Sequence, residues 1–167
     1  APDYDKELEK QLSRWVRGVT GISVNLVLPR FTDPQSKIPP NGETWCGFNF
    51  STLSRPGTPA NVQLSEEQSE QWSWESIQVL FCFYGPGGSG MATRFRDGIF
   101  VDQNADTLRR IAGLSLVGAD DIRNLPELIN NQWVRRYDLA VTLSRKNTRT
   151  YNVKSVVDPN VTIVTGD

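Results

Sequence analysis

The strongest constraint on the fold of this chain is an alternation of residue types between Trp133 and Val157. Every second residue from Trp133 to Leu143 is an aromatic, an aliphatic or an arginine, and the pattern resumes at Tyr151 after the polar segment Arg145 to Thr148. A period of two held over so many residues predicts a long antiparallel hairpin with one buried face. Such a hairpin argues against a parallel sheet built from βαβ units.

Length, charge and the missing histidine narrow the classes of function. The 167 residues, 38% of them hydrophobic, suit a single domain over 1–167 with a real core. Net charge is −1 and the basic residues are scattered, so the basic face that sequence-independent nucleic-acid binding needs is not evident. Without histidine, Ser-His-Asp and Cys-His arrangements and histidine-based zinc motifs are excluded. No compelling catalytic constellation is evident among the remaining residues, and we predict that the protein is not an enzyme and has no catalytic residue, cofactor or metal ion.

The cysteines and the chain start bear on the compartment. Cys46 and Cys82 lie in apolar, strand-like segments, which predicts two buried free thiols rather than a disulfide. No signal pattern opens the sequence, and no apolar run approaches the roughly 20 residues that span a bilayer. We expect a soluble protein that is assembled in the cytoplasm without a membrane.

The remaining segments divide by their periodicity. Apolar residues at helical spacing predict an amphipathic helix from Asp3 to Gly18, with acidic residues first and arginines near its end. Further predicted elements are strands at Glu43–Leu53, Trp72–Tyr84 and Leu114–Val117, helices at Met91–Asp102 and Ala105–Gly113, a helical turn at Leu125–Leu128, and exposed loops at Pro29–Gly42 and Ser54–Ser73. The predicted fold class is α+β: a mixed, mainly antiparallel β-sheet with a long C-terminal hairpin, packed against two or three helices.

The glycine-rich run from Gly85 to Gly90 has the G-x-G-x-x-G spacing of a dinucleotide-binding loop, between a predicted strand and a predicted helix. Asp120 or Asp121, near the end of the next strand, would bind the ribose. The unit occurs once, its flanks read as antiparallel, and Pro86 removes an amide that could face a phosphate. A tight strand-to-helix connection is the favoured interpretation, and a dinucleotide-binding enzyme is the alternative.

A second motif has the beginning of a calcium loop, Asp102-x-Asn104-x-Asp106. Thr107 occupies the position of the sharp-turn glycine and Gly113 that of the bidentate glutamate, so two required positions fail. The motif is better explained as the N-terminal region of a helix.

Tryptophans flank the two longest predicted strands. Trp72 and Trp74 precede one, and Trp133 opens the other beside Arg135 and Arg136. A tryptophan near a strand end usually lies at the edge of a core, so the arginines are the more interface-like residues.

Segments along most of the chain together resemble the bacteriophage neck and tail terminator proteins. In the first half these are Trp15-Val16-x-Gly18-Val19-Thr20-Gly21, Pro29-Arg30-Phe31, and Pro39-Pro40 leading to Thr44-Trp45-x-Gly47-Phe48. In the second half they are Gln78-Val79-Leu80-Phe81-x-Phe83-Tyr84-Gly85, Arg136-Tyr137-Asp138-Leu139-x-Val141-x-Leu143 and Arg149-Thr150-Tyr151. No catalytic residue is carried over, because these motifs are structural.

The resemblance implies a tail-terminator-like domain that forms a ring, commonly a hexamer, in the virion neck. Such a ring caps the tail tube, ends its polymerisation and joins the tail to the head. Expected partners are further copies of the chain, the tail tube protein, the head–tail connector or adaptor protein and, as a further potential partner, the sheath. Genome DNA would pass through the lumen without sequence-specific binding. The alternative within this class is a connector adaptor or head-completion protein.

Ring formation requires that one patch of the chain meet a different patch on its neighbour. The long loop after Pro29 and the predicted hairpin tip at Arg145–Thr148 are the natural contact regions, and the adjacent Arg135 and Arg136 suit salt bridges between subunits. The predicted interface residues are Arg30, Phe31, Arg135, Arg136, Lys146 and Arg149.

Overall fold

Two strands of 17 residues, paired antiparallel along their whole length, set the frame of the molecule. The computed structural model describes residues 5–31, 37–54, 60–63 and 68–152. The helices are α1 (Asp5–Thr20), α2 (Gly88–Gly98) and α3 (Asp102–Ala112), with a short 3₁₀ turn at Val24–Leu26. The strands are β1 (Val27–Pro29), β2 (Trp45–Ser54), β3 (Ala60–Gln63), β4 (Gln68–Tyr84), β5 (Ser115–Ala119), β6 (Arg123–Asn124), β7 (Glu127–Ile129), β8 (Gln132–Val134) and β9 (Arg136–Asn152).

The sheet is mixed but mainly antiparallel, which confirms the predicted α+β class. Within the described ranges its order is β1-β2-β4-β9-β5, with β3 beside β4 and β6 beside β9. Only β1 and β2 in this part of the chain pair in parallel. Strands β7 and β8 form a separate antiparallel hairpin. Over the same described ranges, no helix is long and apolar enough to span a membrane.

The helices cover one face of the sheet and form the main core with it. In α1 the apolar residues recur at helical spacing, and its buried residues include Leu12, Trp15 and Val16, as the sequence predicted. The Trp15 ring meets Phe95 of α2 edge to face at 5.3 Å, and its Nε1 donates to the Asn104 carbonyl at 3.0 Å. Trp15 of α1 thus contacts both α2 and α3. The burial of a large apolar side chain contributes roughly 1.5–3 kcal/mol to the free energy of folding.

The predicted turn at Arg145–Thr148 is wrong. These four residues continue β9, because β4 extends equally far and supplies their ladder partners, from Glu75↔Arg145 to Trp72↔Thr148. Leu139, Val141 and Leu143 lie on the buried face that the alternation predicted, whereas Trp133 and Arg135 are exposed. Beyond Leu143 the buried face becomes polar: Arg145 and Asn147 are buried and bond Glu75 at 3.3 and 2.8 Å. Polar residues on a buried face resemble a turn in sequence. The predicted second strand began at Tyr151, but Tyr151 and Asn152 belong to β9 itself. The rest of that predicted strand lies outside the described residues.

Two other predictions need correction. Leu125–Leu128 is not a helical turn: β7 begins at Glu127 and pairs with β8 across Asn130-Asn131. Both asparagines have positive φ, 51° and 61°, as the type I′ turns of two-residue hairpins require. Part of the predicted loop Ser54–Ser73 is also extended, since β3 and the first residues of β4 lie there. Helices α2 and α3 each begin three residues before the predicted starts.

The glycine run forms a tightly packed connection from β4 to α2. Gly85 has φ +90°, and a Cβ there would lie 2.1 Å from the Glu43 carbonyl oxygen. The Gly87 amide donates to Thr44 Oγ1 at 2.9 Å, so the chain itself takes an amide that a phosphate would need. Strand β5, with Asp120 beyond its end, is separated from β4 by β9. These contacts favour the tight-connection interpretation of the motif.

Cys46 and Cys82 are buried free thiols, as predicted. Cys46 pairs with Phe83 and Cys82 with Gly47, so the two side chains point to opposite faces of the sheet. Burial raises the pKa of the Cys46 thiol well above its ordinary value. Burial, and then the neighbouring Asp138, raises the pKa of Cys82 to about 12. Both thiols are therefore held in their unreactive, protonated form.

Candidate functional site

The face of the sheet opposite the helices carries a second, smaller core at one end. Trp45 and Tyr84 are cross-strand partners there, and their rings stack at 4.1 Å with an interplanar angle of 8°. The β7–β8 hairpin lies against this pair, with Ile129 buried and Val134 half-buried in the same cluster. The cluster fixes the hairpin on the sheet by apolar contact.

Arg30 lies inside this second core. Its Nη1 donates to the Tyr84 hydroxyl and, at 3.1 Å, to Glu127 Oε2. Its guanidinium carbon lies 5.3 Å from the centroid of Tyr84 and 5.5 Å from that of Trp45, within cation–π range. Gly47 makes this position available, because a Cβ there would lie 2.5 Å from the Arg30 side chain.

Arg136 completes an ion network around Glu127. It binds Asp138 in bidentate fashion at 2.7 and 2.8 Å, and its Nη1 donates to Glu127 Oε1 at 2.8 Å. The hydrogen bonds to Asp138 are the main reason that the pKa of Arg136 is raised, and burial raises the pKa of Tyr84. Glu127 belongs to the hairpin and both arginines lie outside it, so the shared carboxylate is an electrostatic brace between hairpin and sheet.

The charged groups of this network bind one another within the chain. Glu127 and Asp138 both accept charge-assisted hydrogen bonds from arginines of the chain. Within the described ranges, no group of three or more Cys, Asp or Glu side chains could hold a metal ion. The arrangement is suited to holding a surface element rigidly.

The outer side of the braced hairpin exposes large apolar side chains. Leu128 and Trp133 are cross-strand partners that are 54% and 74% exposed, and Leu125 is exposed just before them. A groove of about 200 Å³ adjoins them, lined by Trp133, Arg135, Pro86 and the Asn41-Gly42 turn among others. Exposed apolar clusters with a polar rim mark interaction sites on soluble proteins. We call Leu128, Trp133, Arg135 and this groove the hairpin surface.

A comparison with known families decides what kind of protein carries this surface. The model of the phage neck terminator protein family matches residues 6–167, nearly the whole chain. The chain belongs to that family. The resemblance read from the sequence is thereby confirmed, and the neck terminator protein has a structural role in the phage neck. No curated protein matches it.

The neck terminator structure brings four of the six predicted interface residues together. Arg30, Arg135 and Arg136 lie beside the β7–β8 hairpin, and the Phe31 ring lies 4.9 Å from the Arg30 guanidinium carbon. Arg30 and Arg136 bind Glu127 within the chain, while Phe31 and Arg135 are exposed. Lys146 is exposed in the far half of β9, and the Arg149 side chain lies outside the described residues. Their role at an interface stays a prediction.

Sequence reasoning missed the partners that organise this region. Glu127 lay in the segment predicted as a helical turn, and nothing marked Tyr84 as its neighbour. Trp133 was predicted at the edge of a core, yet it is the most exposed of the large apolar side chains in the described part of the chain. The sequence signal that could have indicated the hairpin was Asn130-Asn131, a typical two-residue hairpin turn. A hairpin with this turn makes Leu128 and Trp133 cross-strand partners.

Proposed function

We propose that this neck terminator protein acts as a single domain over 1–167 and assembles into a closed hexameric ring in the virion neck. The ring caps the tail tube, ends its polymerisation and joins the tail to the head-side connector. Its partners are the neighbouring copies, the tail tube protein and the connector or adaptor protein, with the sheath where the tail has one. Assembly precedes particle completion and takes place in the host cytoplasm.

The observation that carries this proposal is the hairpin surface. An exposed tryptophan beside an exposed arginine matches residue types that are enriched at protein interfaces, and the exposed Leu128 extends the apolar surface next to that tryptophan. The ion network beneath holds them rigid, so little ordering cost is added when a partner binds. With a net charge of −1, the chain is compatible with a lumen through which DNA passes without being held.

The experiment is to produce phage without this protein and to image the products by electron microscopy. If the protein ends tube polymerisation, tails longer than those of the wild type are expected. Tails of normal length that fail to attach to heads would instead assign an adaptor or head-completion role and overturn the terminator proposal. In wild-type particles, subunit-resolved images should show six copies at the neck, and any other number contradicts the hexamer.

A further inference from the structure

We infer that the hairpin surface of one subunit receives the corner between α2 and α3 of the next copy, with the Phe100 ring in the groove. The inference rests on the proposed ring and names the two patches that would close it. A ring needs a head-to-tail contact between unlike patches. The two regions meet that requirement because the hairpin packs on Trp45 and Tyr84, whereas α2 packs on the opposite, core face of the sheet.

The receiving patch is apolar with one positive charge. Trp133 and Leu128 supply the apolar surface, and Arg135 is exposed at the edge of the groove. Arg135 forms no ion pair with any residue that the structure describes, whereas the neighbouring Arg136 is saturated by Glu127 and Asp138. A partner that brings a carboxylate close to an apolar side chain would satisfy both features.

The inserted patch has that composition. Phe100 and Val101, in the short connection between α2 and α3, are 51% and 49% exposed. Asp97 and Asp102 flank them, are exposed, and form no ion pair within the described ranges. Backbone hydrogen bonds from Phe100 to the Asp97 carbonyl at 3.3 Å and from Val101 to the Gly98 carbonyl at 3.1 Å hold the corner in shape.

The dimensions and charges of the two patches are complementary. The groove is open to solvent and has a volume of about 200 Å³, which exceeds the roughly 150 Å³ that a benzene ring occupies in a protein cavity. Phe100 can therefore bury its ring against Trp133 while Asp97 or Asp102 approaches Arg135. Burial of the aromatic pair would supply most of the affinity, and the charge pair would fix the orientation.

Paired cysteines test this contact directly. We would prepare Leu128→Cys, Val101→Cys and the double variant, and oxidise each as assembled rings. The native thiols contribute no background, because Cys46 and Cys82 are buried. The double variant should give a covalent ladder up to the full ring, a mixture of the single variants should give dimers alone, and each single variant by itself should give none.

The outcomes separate this inference from the proposed function. Rings that are visible in the microscope but give no ladder would overturn the inference and leave the ring proposal standing. Dimers from Leu128→Cys alone would also overturn it, because they would show hairpin meeting hairpin. A protein that forms no ring in particles or in solution would overturn both.

Charge reversal provides an independent variant that leaves the core intact. Arg135→Glu should weaken ring assembly roughly tenfold or more, as rim and interface charges do, and Asp97→Arg combined with Asp102→Arg should restore it in the same chain. Arg14→Glu, at an exposed arginine of α1, is the matched control and should assemble normally. Failure of the acidic-side reversal to restore assembly of Arg135→Glu would contradict the pairing.

Discussion

The two polar clusters of the β4–β9 pair differ in position and in what they join. Near Tyr84, the cluster around Glu127 is partly accessible and connects a separate hairpin to the sheet. Toward the other end, the cluster around Glu75 is almost fully buried and connects two strands of one continuous ladder. Similar ion pairs therefore have different roles. The cluster around Glu127 positions the hairpin surface, and the cluster around Glu75 stabilises the pairing of β4 with β9.

The largest effect is expected at the buried cluster. Glu75→Ala removes the carboxylate that binds Arg145 and Asn147, and it leaves a guanidinium that is only 3% exposed without that partner. Breaking a buried pair from one side costs about 3–5 kcal/mol. Urea denaturation should show this loss, with Glu43→Ala as an exposed control; a loss below about 1 kcal/mol would mean that water reaches the cluster.

A smaller loss of stability, with a larger loss of assembly, is expected for Glu127→Ala. The change removes the shared acceptor of Arg30 and Arg136, and a hydrogen bond to a charged group contributes about 1.5–3 kcal/mol. Since Glu127 is 22% exposed, the lower end of that range is expected. Hydrogen exchange should accelerate more in the β7–β8 hairpin, residues 127–134, than in the main sheet. Equal acceleration in the hairpin and in the main sheet would show that the network does not act as a local brace.

Alkaline pH should lower the free energy of unfolding through the ionisation of Cys82. The folded pKa of Cys82 is raised to about 12, whereas an unfolded thiol ionises near pH 8.5. The unfolded state therefore loses its proton first, so this stabilisation is complete below pH 8.5 and is lost as pH rises toward 12. Denaturation midpoints measured from pH 8 to 11 should fall less steeply in Cys82→Ala. If the midpoints of the wild type and of Cys82→Ala fell equally steeply with pH, ionisation of Cys82 would not contribute to the loss of stability.

The smallest effect on stability is expected at the hairpin surface itself. Trp133→Ala should change the free energy of unfolding by no more than about 0.5 kcal/mol, because the ring is 74% exposed. Ring assembly measured by light scattering should nevertheless weaken roughly 30-fold, as at an interface hot spot. Trp74→Ala, at a second tryptophan whose side chain is exposed, is the matched control. If the two variants assembled equally well, Trp133 would not be an interface residue.

Sequence alone predicted the elements whose signal is local. Helix α1 was predicted because its buried residues recur within one segment, and the first part of β9 was predicted because its alternation continues as far as Leu143. The turn at Arg145 was inferred wrongly because a buried arginine is recognisable only when its partner, Glu75, is known, and that residue is 70 positions away. The fold class followed from these strong local patterns despite that error.

The candidate site was predictable only in part for the same reason. Arg136 was selected as a residue that needs a partner and Arg30 as part of a contact loop, but their common acceptor is 97 residues from Arg30 and lies in a three-residue strand. Short strands carry too few residues for periodicity to identify them. Family resemblance supplied the phage neck role, while the hairpin surface became visible only in three dimensions.

The length of the β4–β9 pair has a mechanical consequence. Seventeen residues per strand, at about 3.4 Å each, give a ladder about 55 Å long. Its two strands run in opposite directions, and each hydrogen bond lies across the strand axis. A force that pulls the two strands past one another is therefore shared by all hydrogen bonds of the ladder at once. The subunit should resist shear along this axis better than a short ladder would.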